Sequence, residues 1–197
     1  MQKIILLTIS MVIGLYAYSQ KEALLRFEKE RIGYQKKSML VLAGWSAGNM
    51  IVSGIATKTS NIEMRNFHQM NVMWGGINLA IAGLGYWGAG REKMDNPNLV
   101  SVLKHQNKTK KTYLINSILD VVYVGGGLLM NKTSIHQKNP AKFKGYGNSI
   151  AMQGGFLLIF DAVNYAIHYK YGKKLNGLVE KVQLEGGIGA VTLTYTF

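Results

Sequence analysis

Residues Phe67–Gly88 read FHQMNVMWGGINLAIAGLGYWG, and this stretch decides the fold. It is long and apolar enough to cross a bilayer, because about 20 apolar residues span a hydrocarbon core of about 30 Å. Four polar or aromatic side chains nevertheless recur along it at helical spacing: His68, Asn71, Trp74 and Asn78. Polar groups that face lipid are costly, so other helices must cover this seam. The stretch therefore predicts one helix of a membrane bundle.

Three further stretches share this length and character: Ser38–Thr57, Thr112–Met130 and Tyr146–Ile167. None of the four contains Lys, Arg, Glu or Pro. None alternates with a period of two residues, which argues against the strands of a barrel. We therefore predict an all-α membrane protein, a bundle of four transmembrane helices built from two hairpins. Alternation in residues 190–197 (AVTLTYTF) adds a short C-terminal strand-like tail.

The first twenty residues resemble a secretory signal peptide. They contain a lone Lys3, an apolar run, and the small residues Ala17 and Ser19 before Gln20. An uncleaved signal anchor is the alternative. The predicted organisation is a signal peptide (1–19), an amphipathic or solvated helix (20–37), a four-helix transmembrane domain (38–168), and a basic linker with a β-like tail (169–197). The Lys-rich segment 89–111 is predicted to be the longest loop.

Charge and composition limit the possible partners. The net charge is +13, but the basic residues are spread over the segments between apolar stretches, and no nucleic-acid motif accompanies them. Lipid headgroups explain this distribution better. We therefore predict contact with a lipid bilayer and with a protein partner or a second copy of the chain, and no nucleic acid. The chain has no cysteine, which excludes disulfides and thiolate catalysis.

The distribution of charge conflicts with the signal peptide. Lys and Arg are concentrated in the segments on the amino-terminal side of the predicted bundle, so the positive-inside rule places that side in the cytoplasm. A cleaved signal peptide places it outside. An outer-membrane location would resolve the conflict, but apolar helices normally stop in the inner membrane, and we predict a bacterial inner membrane over an outer one.

Two aspartates lie inside the predicted spans, Asp120 and Asp161. A charged side chain there costs about 2.5–3.5 kcal/mol on insertion scales, so both should point into the bundle. Four asparagines are placed at similar or shallower depth: Asn78, Asn49, Asn116 and Asn164. One interpretation is that these groups join the helices by hydrogen bonds. The other is a proton or cation site formed by Asp120 and Asp161 with Asn78.

A second candidate group lies near the opposite face. His68 with Asn71 and Gln153 could contact a small polar ligand or a lipid headgroup, and the alternative is an interfacial His68 that caps the loop. His168 lies about 30 Å away across the bundle and cannot join His68 in a metal site. No known catalytic or nucleotide-binding motif is present, so no cofactor and no catalytic residue are predicted, and the question of a bound metal stays open.

Two runs carry a resemblance to known proteins: FHQMN with Trp74 and Ile77-Asn78 in residues 67–78, and GNSIAMQGGFLLIFD in residues 147–161. With these runs and a signal ending in Ser19-Gln20, the sequence resembles an uncharacterised family of small helical membrane proteins of Bacteroidota. The resemblance covers residues 39–168 and implies a four-helix membrane protein. It assigns no functional residue.

Three functions follow from these features. The first is a non-enzymatic scaffold or an accessory subunit of a membrane complex. The alternative is a small transporter or a proton- or cation-coupled membrane protein that uses Asp120 and Asp161. A membrane enzyme acting at His68 comes third.

Overall fold

A computed structural model describes residues 2–58, 61–92, 97–180, 183–187 and 190–194. These residues contain four long helices, α1 (Gln2–Ala56), α2 (Ile62–Arg91), α3 (Leu99–Lys132) and α4 (Pro140–Glu180), with a short 3₁₀ turn at Ser134–His136. Helix α1 packs against α2, α3 packs against α4, and α2 packs against α4. Two helical hairpins are thereby joined into one bundle, and the prediction of a helical bundle is confirmed.

Polar residues at the connections set where the helices begin. The side chain of Asn61 accepts a hydrogen bond from the backbone N–H of Met64 at 3.0 Å and caps α2. Asn98 and Ser101 form a reciprocal capping box at the start of α3. Helix α4 begins at Pro140, where the missing N–H of proline costs nothing.

The tail forms a small hairpin of strands β1 (Gln183–Gly187) and β2 (Ala190–Thr194). The strands pair antiparallel, with Gln183 opposite Thr194 and Gly187 opposite Ala190. The last residues of the predicted strand pattern, 195–197, lie outside the described part of the chain.

The distribution of residues is the reverse of that in a water-soluble protein. Sixteen polar or charged residues are buried among those described, against eleven apolar ones. Large apolar side chains cover the outside instead, with Ile55 71%, Leu84 68% and Val122 63% exposed. Soluble proteins rarely expose such continuous apolar surface, and lipid tails would cover it.

Three helices of the described chain are long and apolar enough to cross a membrane: Tyr18–Ala56, Leu99–Lys132 and Pro140–Leu175. This supports a membrane location by length and composition. The predicted count of four spans is not confirmed, because α2 is not among these three. Its interior face carries Asn71 and Asn78, and these polar residues lower its mean hydropathy.

The helices extend well beyond the apolar stretches at the end of the bundle that carries the chain termini, hereafter the terminal end. Residues 20–37 belong to α1, residues 99–111 of the predicted loop belong to α3, and residues 169–180 of the predicted linker continue α4. A core of Leu24, Phe27, Val102, Tyr171 and Leu175 holds the three helices together there. The rings of Phe27 and Tyr171 stack at 4.4 Å. The many lysines of these segments hid this apolar stripe from sequence reasoning.

At the opposite end, hereafter the far end, the backbones of α3 and α4 meet closely. A Cβ atom added to Gly127 would lie 2.6 Å from the carbonyl oxygen of Gly147, which only glycine avoids. The neighbouring Gly126 has open space around it. Small residues at this point allow the close approach that drives helix packing in membranes.

Candidate functional site

A cavity of about 770 Å³ lies between the two hairpins and is lined by all four helices. Helix α3 contributes a stripe from His105 to Tyr123, which is about 27 Å long at 1.5 Å per residue. Most residues of the stripe are polar. They follow one another at intervals of three or four positions or in adjacent pairs, so they lie on one face of α3. Its members are His105, Lys108, Thr109, Thr112, Tyr113, Asn116, Leu119, Asp120 and Tyr123.

Asp120 on α3 and Asp161 on α4 line this cavity together, and they are only 3% and 5% exposed. The carboxyl groups are close enough to interact with each other, and Asn116 also interacts with Asp161. The ion pairs that the described residues form involve neither carboxylate. Two acids therefore face each other in the cavity without a basic side chain to neutralise them.

Three buried polar atoms that belong to cavity-lining residues have no hydrogen-bond partner within the described chain. They are Oδ2 of Asp120, Nδ2 of Asn78 and Nε1 of Trp74. Asn78 is 2% exposed, so its amide is as buried as the acids. Burying a polar group without a partner typically costs about 1–3 kcal/mol, and native proteins rarely leave such groups together. The three atoms are therefore candidates for contact with a ligand.

An ion-pair cluster lies where the cavity approaches the terminal end. The Arg31 guanidinium, 1% exposed, donates to both carboxylate oxygens of Glu28 at 3.1 and 2.7 Å, and also to Glu92 and to Thr109. His105 Nδ1 lies 3.2 Å from Glu28. Ligand atoms of Glu28, Glu92 and His105 lie within 4.8 Å of one another, a spacing that suits a metal ion. Arg31 already supplies the positive charge between these carboxylates, so the arrangement needs no metal.

Four of the six residues predicted for the buried polar layer line the cavity: Asn78, Asn116, Asp120 and Asp161. The other two do not. Asn49 donates to the backbone oxygen of Trp45 at 3.0 Å, and Asn164 donates to the backbone oxygen of Phe160 at 2.8 Å and accepts from Ser38. Depth alone did not separate these positions, because depth does not determine which neighbouring helix a side chain points toward.

Asn71 and Gln153 belong to a separate set of hydrogen bonds between α1, α2 and α4, hereafter the closed network. Asn71 Oδ1 accepts from Ser149 at 2.6 Å and from Gln153 at 3.1 Å, and Gln153 Oε1 accepts from Trp45 at 3.0 Å. Gln153 also donates to Asn49 at 3.4 Å. None of these residues lines the cavity. The closed network supplies its own partners and joins three helices.

His68 lies apart from both groups, in the second turn of α2. Its Nδ1 lies 3.2 Å from the hydroxyl of Ser53 on α1. The expectation that His68 caps the loop is wrong, because α2 begins six residues earlier, at Ile62, and Asn61 provides the cap. His68 instead links α1 to α2.

Sequence reasoning missed the lining residues Tyr113, Tyr123 and Phe160, and it placed Trp74 in the covered seam of α2 without assigning it to a site. The signal was available on α3, where Thr109, Thr112, Tyr113, Asn116, Asp120 and Tyr123 follow one another at helical spacing. The ion-pair cluster was missed as well, because His105 was assigned to a loop and Glu92 contacts Arg31 from 61 residues away.

Comparisons with known proteins give one match. A family model described as a family of unknown function, DUF6992, matches residues 41–162, which is more than half of the chain and includes Trp74, Asn78, Asn116, Asp120 and Asp161. None of the curated proteins and none of the solved structures compared with the chain matches it. The chain therefore belongs to DUF6992, an uncharacterised family of unknown function.

Proposed function

We propose that this protein binds a proton or a cation between Asp120 and Asp161, as a small transporter or an ion-coupled membrane protein. The observation that carries the proposal is the pair of adjacent, buried carboxyl groups on a cavity wall, neither of which forms an ion pair within the described part of the chain. Two adjacent carboxylates repel each other, and burial disfavours both charges. A shared proton or a bound cation relieves the repulsion, and the two compete for the same place.

The polar stripe on α3 supports a route to this pair. It leads from His105 and Lys108, at the terminal end, past Thr109 and Asn116 to Asp120. Ionisable groups inside membrane bundles typically mark ion or proton pathways, and they face a cavity rather than lipid. A cation that enters at the terminal end would meet hydrogen-bonding side chains along the whole stripe.

Thermal unfolding of the detergent-purified protein tests the proposal. We expect NaCl, KCl or an ammonium salt to raise the Tm of the wild type relative to a salt of equal ionic strength with a bulky cation, and the rise should shrink as the pH falls. Asp161→Asn should abolish the rise. Glu30→Gln changes an acid outside the cavity and should keep it. A cation-independent Tm in the wild type, or an unchanged rise in Asp161→Asn, would remove the proposal.

A scaffold or accessory-subunit role is the second candidate, and one surface feature favours it. Gly44 and Gly48 lie four residues apart on the exposed side of α1 with open space around both. Such spacing permits close contact with another helix in the membrane. Purification from native membranes tests this role: a stable larger complex that Gly44→Leu dissociates supports it, whereas an unchanged monomer in both proteins rejects it.

We further infer that residues 1–19 direct export and that the mature chain begins near Gln20 in a bacterial membrane, the inner one over the outer one. Helix α1 continues through this position, so cleavage would leave a helix that starts with the packed segment around Leu24 and Phe27. Amino-terminal sequencing of the purified protein and fractionation of the two membranes test these points. Recovery of an intact Met1 in the mature protein would contradict the cleavage.

A further inference from the structure

We propose that the cavity takes an organic ammonium compound that also carries a hydrogen-bond acceptor, with the ammonium group between Asp120 and Asp161. Small amino alcohols belong to this class. This inference rests on the proposed function and names the chemical class of its cation. Three further features support this chemical class: the size of the cavity, its aromatic wall, and two donors that have no partner among the described residues. A site for a proton or a metal cation at the acid pair would need none of these features.

The size of the cavity favours an organic molecule over a bare ion. A volume of about 770 Å³ lies within the range of about 300–1,000 Å³ that small-molecule sites occupy. Aliphatic side chains, among them Leu42, Ile77 and Leu157, form much of its wall. A Ca²⁺ ion takes six to eight oxygen ligands at about 2.3–2.6 Å, and an apolar wall cannot supply that shell. The carbon skeleton of a small amine would contact this wall instead.

Aromatic rings share the cavity wall with the acid pair. Trp74, Tyr113, Tyr123 and Phe160 line the same cavity as Asp120 and Asp161. The rings of Trp74 and Tyr123 meet edge to face at 5.3 Å, and those of Tyr113 and Phe160 at 6.5 Å. Aromatic faces attract organic cations. A site that combines two carboxyl groups with aromatic rings is therefore suited to binding an ammonium group.

The unpartnered atoms specify a second feature of the ligand. Oδ2 of Asp120 is an acceptor, and it can receive an N–H of the ammonium group. Nε1 of Trp74 and Nδ2 of Asn78 carry only hydrogens to donate, so neither can bind a cation. These two donors need an acceptor on the ligand, such as a hydroxyl or carbonyl oxygen. A ligand with an ammonium group alone would leave both donors unpaired.

Calorimetric titration with ethanolamine, ethylamine and NaCl tests the inference on the detergent-purified protein. Ethanolamine and ethylamine both carry the ammonium group, but only ethanolamine carries a hydroxyl. We expect ethanolamine to bind about tenfold more tightly than ethylamine, because a site built to hydrogen-bond a hydroxyl rejects the analogue that lacks it. Sodium should bind more weakly than either amine.

Trp74→Phe keeps an aromatic ring but removes the N–H donor, so it should reduce the preference for ethanolamine to about twofold or less. Trp87→Phe is the matched control, since Trp87 lies outside the cavity and is 56% exposed. It should keep the full preference. Circular dichroism and an unchanged Tm verify that each variant is folded.

The outcomes separate this inference from the function on which it rests. Equal affinity for the two amines, or a preference that Trp74→Phe leaves intact, overturns the inference. If NaCl binds and depends on Asp161 while neither amine binds, the ammonium class is wrong but the cation site stands. If no cation of any kind binds, both proposals fall together.

Discussion

Asn71 and Asn78 lie on the same helix, two turns apart and on the same face, and they are 1% and 2% exposed. Their surroundings differ completely. Asn71 accepts hydrogen bonds from Ser149 and Gln153 within the closed network, whereas Nδ2 of Asn78, a residue of the cavity wall, has no partner among the described residues. Residue type and burial are therefore poor guides to the role of a polar residue in a membrane bundle. What distinguishes the two roles is whether the polar side chain has a hydrogen-bond partner within the bundle. With a partner it is structural, and without one it is a candidate binding group.

The two surroundings have different causes in the backbone. At the far end, Gly145 lets the backbone of α4 approach that of α2 beside Phe67, one turn from Asn71, and little space is left. Around Asn78 the bulky residues Trp74 and Tyr123 meet between α2 and α3, and the two hairpins leave a cavity between them. Close packing at one end thus coexists with a binding space in the middle of the same bundle.

The largest expected effect comes from breaking the close packing. Gly127→Ala places a methyl group against the backbone of α4, and we expect a loss of stability on the order of 1–3 kcal/mol. Gly126→Ala adds the same methyl group where there is open space, and it should be neutral or slightly stabilising. Thermal unfolding of the two variants in one detergent makes the comparison, and equal Tm values would show that the helices do not touch there.

A matched pair of asparagine variants tests the difference between Asn71 and Asn78 directly. Asn71→Leu removes the acceptor of two buried donors, so we expect a loss of about 1–2 kcal/mol. Asn78→Leu removes an unpartnered amide, so the ligand-free protein should be equally stable or more stable than the wild type. Denaturant unfolding in detergent measures both. A larger loss for Asn78→Leu than for Asn71→Leu would reverse the assignment.

The acid pair should behave like Asn78 rather than like Asn71. Asp120→Asn removes one of two mutually repelling groups, so the variant should retain the wild-type stability without added cation and lose the cation-dependent rise in Tm. Its response to pH should be flatter for the same reason. A variant that unfolds more easily than the wild type in every salt would assign Asp120 to the structural class.

The smallest effect is expected at His68. Its contact with Ser53 is a single, partly exposed hydrogen bond, so His68→Ala should lower the stability by about 1 kcal/mol or less. Cation binding should not change, since His68 lies outside the cavity. A loss of binding in this variant would instead support the hypothesis that His68 contacts a ligand near the far end.

Much of the bundle could be predicted from the sequence, because the length and apolar composition of a membrane helix are visible there. The spacing of Asp120 and Asn116 places them on one face of α3. Asp161 could be placed in the interior, because exposing an acid to lipid has a high free-energy cost. The hairpin arrangement of apolar stretches was predicted in the same way.

Other features depend on contacts between distant segments. The contact of Asn71 with Ser149, 78 residues away, and that of Arg31 with Glu92 follow from how the helices pack, which spacing along one helix does not contain. Of the helical segments at the terminal end, residues 20–37 were predicted as a helix, whereas residues 99–111 and 169–180 were assigned to a loop and a linker because lysines surround a narrow apolar stripe. Asn49 was grouped with the aspartates by depth, yet it lies in the closed network because helix rotation, not depth, selects its neighbours.

The most direct test of the central claim counts protons. If a cation replaces the proton that Asp120 and Asp161 share, calorimetric titration with ethanolamine hydrochloride in two buffers of different ionisation enthalpy should reveal about one proton released per cation bound. Asp161→Asn should release none. Cation binding by the wild type without proton release, or equal release by folded Asp161→Asn, would contradict a shared site between the two aspartates.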